Sequence, residues 1–103
     1  MAHYEDITTD ELKARLEKGE KLNMIDVRED DEVATGMIPG ARHIRLSEIP
    51  DRLGEIDLNQ ETIMICRSGG RSSRASEFLA SQGYKHIKNM VGGMLNWNGP
   101  VTK

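Results

Sequence analysis

Cysteine is almost absent from this chain: Cys66 is the single thiol in 103 residues. One thiol excludes an internal disulfide framework and any zinc site built on two or more thiolates. Aromatic residues are also scarce, with one Trp, one Phe and two Tyr making up 4% of the chain. Six methionines stand ready to do part of the core filling that aromatics usually do. The sequence has no basic run. Its formal net charge is −3 and its pI is about 5.6, which argues against nucleic acid as the main partner. No apolar run approaches the ~18 residues needed to span a membrane, so no membrane partner is expected. The first residues, Met1 to Asp6, carry neither the basic nor the apolar region of a signal peptide, so a cytoplasmic, reducing setting is expected.

What is present reads as a globular composition. Charged residues make up 30% and hydrophobic ones 37%, with a mean hydropathy of −0.57. The length fits one domain over residues 1–103, able to bury roughly 65% of its unfolded surface. Thr8 with Glu11 forms a capping-box pattern, Leu12 and Leu16 share a helical face, and Gly19 ends the segment. Leu22 to Val27 reads as a strand. The run Glu29-Asp30-Asp31-Glu32 suits the acidic first turn of a short helix closed by Gly36. A turn at Ile38-Pro39-Gly40-Ala41 is followed by a short strand over His43 to Leu46 and by a short helix that Ser47 could cap, reaching Leu53. Glu61 to Ile65 is the strongest strand. Beyond it Ser72 could cap a helix with Ala75, Phe78 and Leu79 on one face, ended by Gly83. A weak strand over Lys85 to Asn89, a turn at Val91-Gly92-Gly93 and a last helical turn from Met94 to Trp97 complete the pattern. Strands that alternate with helices predict an α/β fold with a mostly parallel central sheet and helices on both faces.

Ligands in such sheets sit beyond the carboxyl ends of the strands, and Cys66 ends the strongest one. The loop after it, Arg67-Ser68-Gly69-Gly70-Arg71, withholds side chains where a core would want them. Two glycines let backbone N–H groups converge on an anion. The following helix N-terminus adds unpaired N–H groups and partial positive charge. Arg67, Arg71 and Arg74 lie within the same stretch. A thiol placed there should be mostly thiolate near neutral pH. His3, His43 and His86 are scattered without acidic neighbours at ligand spacing, so no metal site and no cofactor are expected.

The segment Cys66-Arg67-Ser68-Gly69-Gly70-Arg71-Ser72 resembles the active-site loop of rhodanese-type sulfurtransferases. Three further segments fall in the family's order. Asp26-Val27-Arg28 is similar to its first signature, Glu32 with Gly36 and Ile38-Pro39-Gly40-Ala41 to its second, and Val91-Gly92-Gly93 with Trp97 to its C-terminal segment. One departure is Met37, where the family usually has His ahead of the Ile-Pro-Gly-Ala turn. That position is not where the family's sulfur chemistry sits.

The resemblance implies a single-domain enzyme that moves sulfur from an anionic small-molecule donor such as thiosulfate, through a Cys66 persulfide, to an acceptor. The acceptor would be cyanide, an external thiol, a thioredoxin-like dithiol or a protein. In this reading Cys66 is the nucleophile. Arg67 and Arg71 orient the donor, with Arg71 partly bracing the loop. Ser68, Gly69, Gly70 and Ser72 supply the cradle. Asp26 and Arg28 are structural supports, Asp26 holding loop amides and Arg28 pairing with a carboxylate for which Glu32, four residues on, is the natural choice. Two other readings compete: a non-catalytic binding module of the same family, which would generally lack the cysteine, and a phosphatase-like or arsenate reductase-like enzyme. Phosphate cradles of the latter kind hold one more residue between cysteine and arginine than the stretch from Cys66 to Arg71 does.

Overall fold

The computed structural model describes residues 3–103. Five parallel strands make one sheet: β1 (Glu5–Ile7), β2 (Asn23–Asp26), β3 (Arg42–His43), β4 (Thr62–Ile65) and β5 (Ile87–Met90), in the order β1-β5-β4-β2-β3. β4 lies at the centre, pairing Asp26 with Ile65 on one side and Met64 with Asn89 on the other. The expected sheet is therefore present, and every strand pair in it is parallel. β1 is an addition that the sequence pattern did not suggest, because Glu5-Asp6-Ile7 buries only Ile7. Its edge position against β5 explains this, since one flank faces no strand.

Alternation along the central strands divides the core between the two faces. Ile25, Val27, Met64 and Ile87 point to the side of helix α3 (Gly70–Ser81), where they meet Ala75, Leu79 and Tyr84. Met24, Ile63, Ile65 and Met90 point to the side of helix α1 (Thr9–Glu17), where they meet Leu12 and Ile38. Every residue of β4 is buried, as a strand covered on both faces requires.

Local signals account for most helix ends. Thr8 caps α1, its hydroxyl accepting from the Glu11 N–H at 3.0 Å while the Glu11 carboxylate accepts from the Thr8 N–H at 3.0 Å. The acidic run opens the short helix α2 (Asp30–Val33). Two expectations are corrected. The segment after His43 leaves the sheet at once and forms a 3-10 helix over Leu46–Asp51. Ser47 lies inside that helix and does not cap it. Arg45 precedes it, and the Glu48 carboxylate accepts from the Arg45 N–H at 3.1 Å. The Ile44 and Leu46 amides still donate to the Asp26 and Val27 carbonyls, at 3.0 Å each, as the chain turns into that helix.

Glu61 ties three elements together at the amino end of β4. Its carboxylate meets Arg15 of α1 at 2.6 Å and Lys88 of β5 at 2.6 Å. The Arg15 guanidinium, opposed by burial and helped by Lys88, holds the Glu61 carboxyl at about 2. A carboxyl with a depressed native pKa stabilises the fold above its unfolded value of about 4.3, and that contribution fades as pH falls toward the native value. Glu61→Gln should therefore lower the melting temperature at pH 7 and flatten the loss of stability between about pH 4.5 and 2. Thermal melts across that range check both effects.

Among the described residues no helix is long and apolar enough to cross a membrane.

Candidate active site

β4 delivers Cys66 to the carboxyl edge of the sheet at the point where the chain's path divides. The connection after β2 runs to β3 at one edge, and the connection after β4 runs through α3 to β5 toward the other. Open α/β sheets leave a crevice at such a point. Cys66 has no exposed surface and lies in the core cluster with Met64 and Ala75. Burial alone would fit an inert cysteine, but the polar contacts of its sulfur do not. The Gly69 N–H points at Sγ from 3.0 Å, and the Ser72 hydroxyl lies 3.3 Å away.

Those contacts depend on the backbone. Gly69 adopts φ +100° and is the residue that caps α3. A side chain there would press to within 3.2 Å of the Gly92 amide nitrogen. Ser72, expected as the cap, instead sits in the first turn of the helix, fully buried. The glycine takes the cap because the chain must turn sharply around the sulfur before the helix starts. That frees the serine hydroxyl to face Cys66.

Burial pushes the Cys66 thiol up. The Ser72 hydroxyl and amide, with the Gly69 and Ser68 amides, pull it down and prevail, so the thiol lies below its ordinary value. Hydrogen bonds to the charged form and the loop amides near a helix N-terminus are the physical cause.

The arginines divide into separate roles. Arg71 forks onto Glu32 with two bonds of 2.7 Å, locking the loop to α2. The same fork, against burial, holds the Glu32 carboxyl at about 2. The Arg71 cation is stabilised chiefly by Glu32 and also by the charge on Cys66. Arg67 is exposed and forms no ion pair among the described residues. It borders a cavity of about 320 Å³ with Arg28, Glu32, Thr35, Met94 and Leu95. Arg74 is exposed one turn further along α3. Ser68 and Gly70 are exposed on the loop.

Arg28 is not paired with the Glu32 carboxylate, which Arg71 occupies. It forks onto Asp26, the ion pair closing at 2.8 Å with both side chains buried. It also donates to the backbone carbonyls of Glu32 and Gly36, at 3.2 and 2.7 Å. Asp26 in turn accepts the Arg28 N–H at 3.1 Å. The pair braces the loop after β2, beside the cavity that Arg67 borders.

Two parts of the site were not recognised as such in the sequence. Asn89, from β5, is buried and bonds to both Ser72 and Gly69. The 3-10 helix Gly93–Asn96 clasps the start of the loop, the Met94 N–H donating to the Cys66 carbonyl at 2.9 Å and the Leu95 N–H to the Arg67 carbonyl at 3.0 Å. The Gly92-Gly93 pair was legible as a turn, but nothing in the sequence tied it to Cys66. Among the described residues no histidine bonds to the sulfur. His43 bonds through Nε2 to the Arg28 carbonyl at 2.6 Å, and His86 precedes β5 at the opposite end of the sheet. Among the described residues no three His, Cys, Asp or Glu side chains gather within ligating reach of one another.

Comparison with known proteins agrees with this arrangement. The profile of the rhodanese-like domain matches residues 8–100. The Bacillus subtilis protein YtwF is 48% identical over 94 residues, spanning 91% of this chain and 90% of that one. The thiosulfate sulfurtransferase GlpE of Pseudomonas putida is 31% identical over 87 residues, 84% of this chain and 79% of that one. The crystal structure of a rhodanese-like domain protein from Staphylococcus aureus superposes with a TM-score of 0.89 at 36% identity, covering 95% of this chain and 96% of that one.

Proposed function

The chain belongs to the rhodanese-like domain family, and from that premise we propose that residues 1–103 form a one-domain sulfurtransferase in which Cys66 carries sulfur between an anionic donor and an external nucleophile. The observation that carries the reading is the convergence of the Gly69 N–H and the Ser72 hydroxyl on a buried sulfur. A structural cysteine needs neither. A binding module would have no use for a stabilised thiolate.

The reaction has two halves. The Cys66 thiolate attacks the outer sulfur of thiosulfate. The bond from that sulfur to the sulfonate sulfur breaks, and sulfite leaves with the electron pair. The product is a Cys66 persulfide, whose terminal sulfur bears the negative charge. The loop amides of Ser68, Gly69 and Ser72 stabilise that charge as fixed dipoles. An acceptor nucleophile then attacks the terminal sulfur, and Cys66 departs as thiolate. A thiolate needs no general base, which fits a site without histidine.

Arg67, exposed beside the cavity of about 320 Å³, meets the incoming anion. An arginine fork suits an oxyanion edge. Arg71 acts through Glu32 as the brace that holds the loop closed, a role that its two bonds of 2.7 Å support. With one cysteine in the chain, an internal disulfide cannot discharge the persulfide. Release therefore falls to cyanide, a small thiol, a dithiol protein or a client protein.

Intact-mass measurement after incubation with thiosulfate tests the reading. The expected result is a gain of one sulfur atom that disappears on adding cyanide or dithiothreitol. A mass unchanged by thiosulfate and by mercaptopyruvate alike overturns it.

A further inference from the structure

The Ser72 hydroxyl has one proton and three candidate acceptors. Cys66 Sγ and the Gly69 carbonyl oxygen each lie 3.3 Å from Oγ, while Asn89 Oδ1 lies at 2.5 Å. All four residues are buried. The Asn89 amide orientation follows from its other contact, since Nδ2 donates to the Gly69 carbonyl at 3.3 Å. That leaves Oδ1 facing the serine. The Gly69 carbonyl also accepts the Ser73 N–H at 3.0 Å, so it does not need the serine proton. The contest for that proton is therefore between Asn89 and the sulfur.

We propose that Asn89 is a positioning residue that holds the Ser72 hydroxyl away from the sulfur while Cys66 is a thiol and yields it when Cys66 becomes a thiolate. The inference rests on the reading of Cys66 as the nucleophile. In the thiol state the Ser72 proton points to Asn89, and the Ser72 lone pairs face the sulfur and accept its S–H. When Cys66 ionises, its proton passes to solvent. The hydroxyl turns to donate to the anionic sulfur, a charge-assisted bond stronger than the neutral one it gives up. The same turn accompanies the return of Cys66 as leaving thiolate in the second half of the reaction. Asn89 thereby favours the thiol and limits how far the site acidifies it. A thiolate of very low basicity is a poorer nucleophile but a better leaving group, so Asn89 sets the balance between the two halves.

The charged groups around Cys66 are already committed or stand apart from this exchange. Arg71 of α3 is forked onto Glu32 of α2. Asp26 of β2 is locked to Arg28. Lys88 of β5 is held by Glu61. Arg67 is exposed on the loop. The clasping helix Gly93–Asn96 carries no titratable side chain. None of these groups hydrogen-bonds to the side chain of Ser72 or Asn89.

The test is the pH dependence of Cys66 alkylation by iodoacetamide, backed by the thiolate absorbance in the ultraviolet. Asn89→Leu removes the competing acceptor, and the titration midpoint should fall by about 0.5–1 unit. Asn89→Ala should shift it in the same direction and serves if the leucine variant does not fold. Ser72→Ala should raise the midpoint. In the Ser72→Ala background, removal of Asn89 should no longer move it, because Asn89 has lost the group it acts through. An unchanged or raised midpoint in the Asn89 variants overturns the proposal, as does an equal fall with and without Ser72. The titration reads the thiol itself, so failure of the sulfurtransferase reading would appear separately, as a persulfide that never forms.

Discussion

Replacing Cys66 by serine is expected to reduce thiocyanate formation from thiosulfate and cyanide by a factor on the order of 10³ or more, the scale seen when a covalent nucleophile is lost and only binding remains. The serine hydroxyl fits where the sulfur lies and can use the Gly69 N–H and Ser72 contacts that already surround it. The fold should therefore survive, with a melting temperature within a few degrees of the parent. The alcohol does not ionise near neutral pH, so the site's donors find no anion to stabilise and the attack on sulfur is lost. Two measurements check this together: the coupled assay should fall to background, and the sulfur gained on incubation with thiosulfate should be absent from the intact mass. Undiminished thiocyanate formation would mean that the sulfur travels by another route.

Gly93→Ala should do comparable damage by a different cause. Gly93 sits at φ +60°, and a Cβ placed on it would lie 2.5 Å from the Arg67 carbonyl oxygen and 2.6 Å from that of Cys66. These are backbone atoms and cannot rotate aside. Their carbonyls are the ones that accept from Leu95 and Met94, so relief of the clash breaks the clasp on the loop that holds Cys66. Left-handed strain and forced overpacking together suggest a loss of about 3–5 kcal/mol, a large share of the ~5–15 kcal/mol that holds a domain folded. A thermal or denaturant melt should show it directly. Any variant that remains folded at low temperature should alkylate Cys66 with a midpoint closer to that of a free thiol, because the loop donors no longer converge. Gly93→Ala that melts and titrates like the parent would show that the clasp does not hold the loop.

Much of this site could be read from local sequence because its central part is local. Cys66, the Gly69-Gly70 pair and the start of α3 are consecutive, so strand pattern, glycine freedom and helix onset combined to indicate a loop that gathers N–H groups around one sulfur. The capping box at Thr8 and the acidic opening of α2 were legible for the same reason, each depending on residues within one turn. Local signals mislead where a local choice has competitors elsewhere. Spacing matches Glu32 to Arg28, but a buried Asp26 holds that guanidinium and Arg71 reaches Glu32 from across the site. Ser72 reads as a cap because serine commonly is one, yet the tight turn at Gly69 starts the helix earlier.

By itself, then, the sequence determined the order of strands and helices from α1 onward, the place of the thiol at a strand end, and the donors adjacent to it, because these follow from short-range periodicity and backbone preference. Parallel pairing was decided between distant segments. It set β5 beside β4, carrying Asn89 beneath the loop, and brought Gly93 against the carbonyl of Cys66. Which carboxylate takes which arginine, and which acceptor holds the Ser72 proton, depend on distances that only the closed sheet fixes. The scarcity of cysteine stated the main constraint from the start: a single thiol, placed by its neighbours in sequence and tuned by residues that folding brings to it.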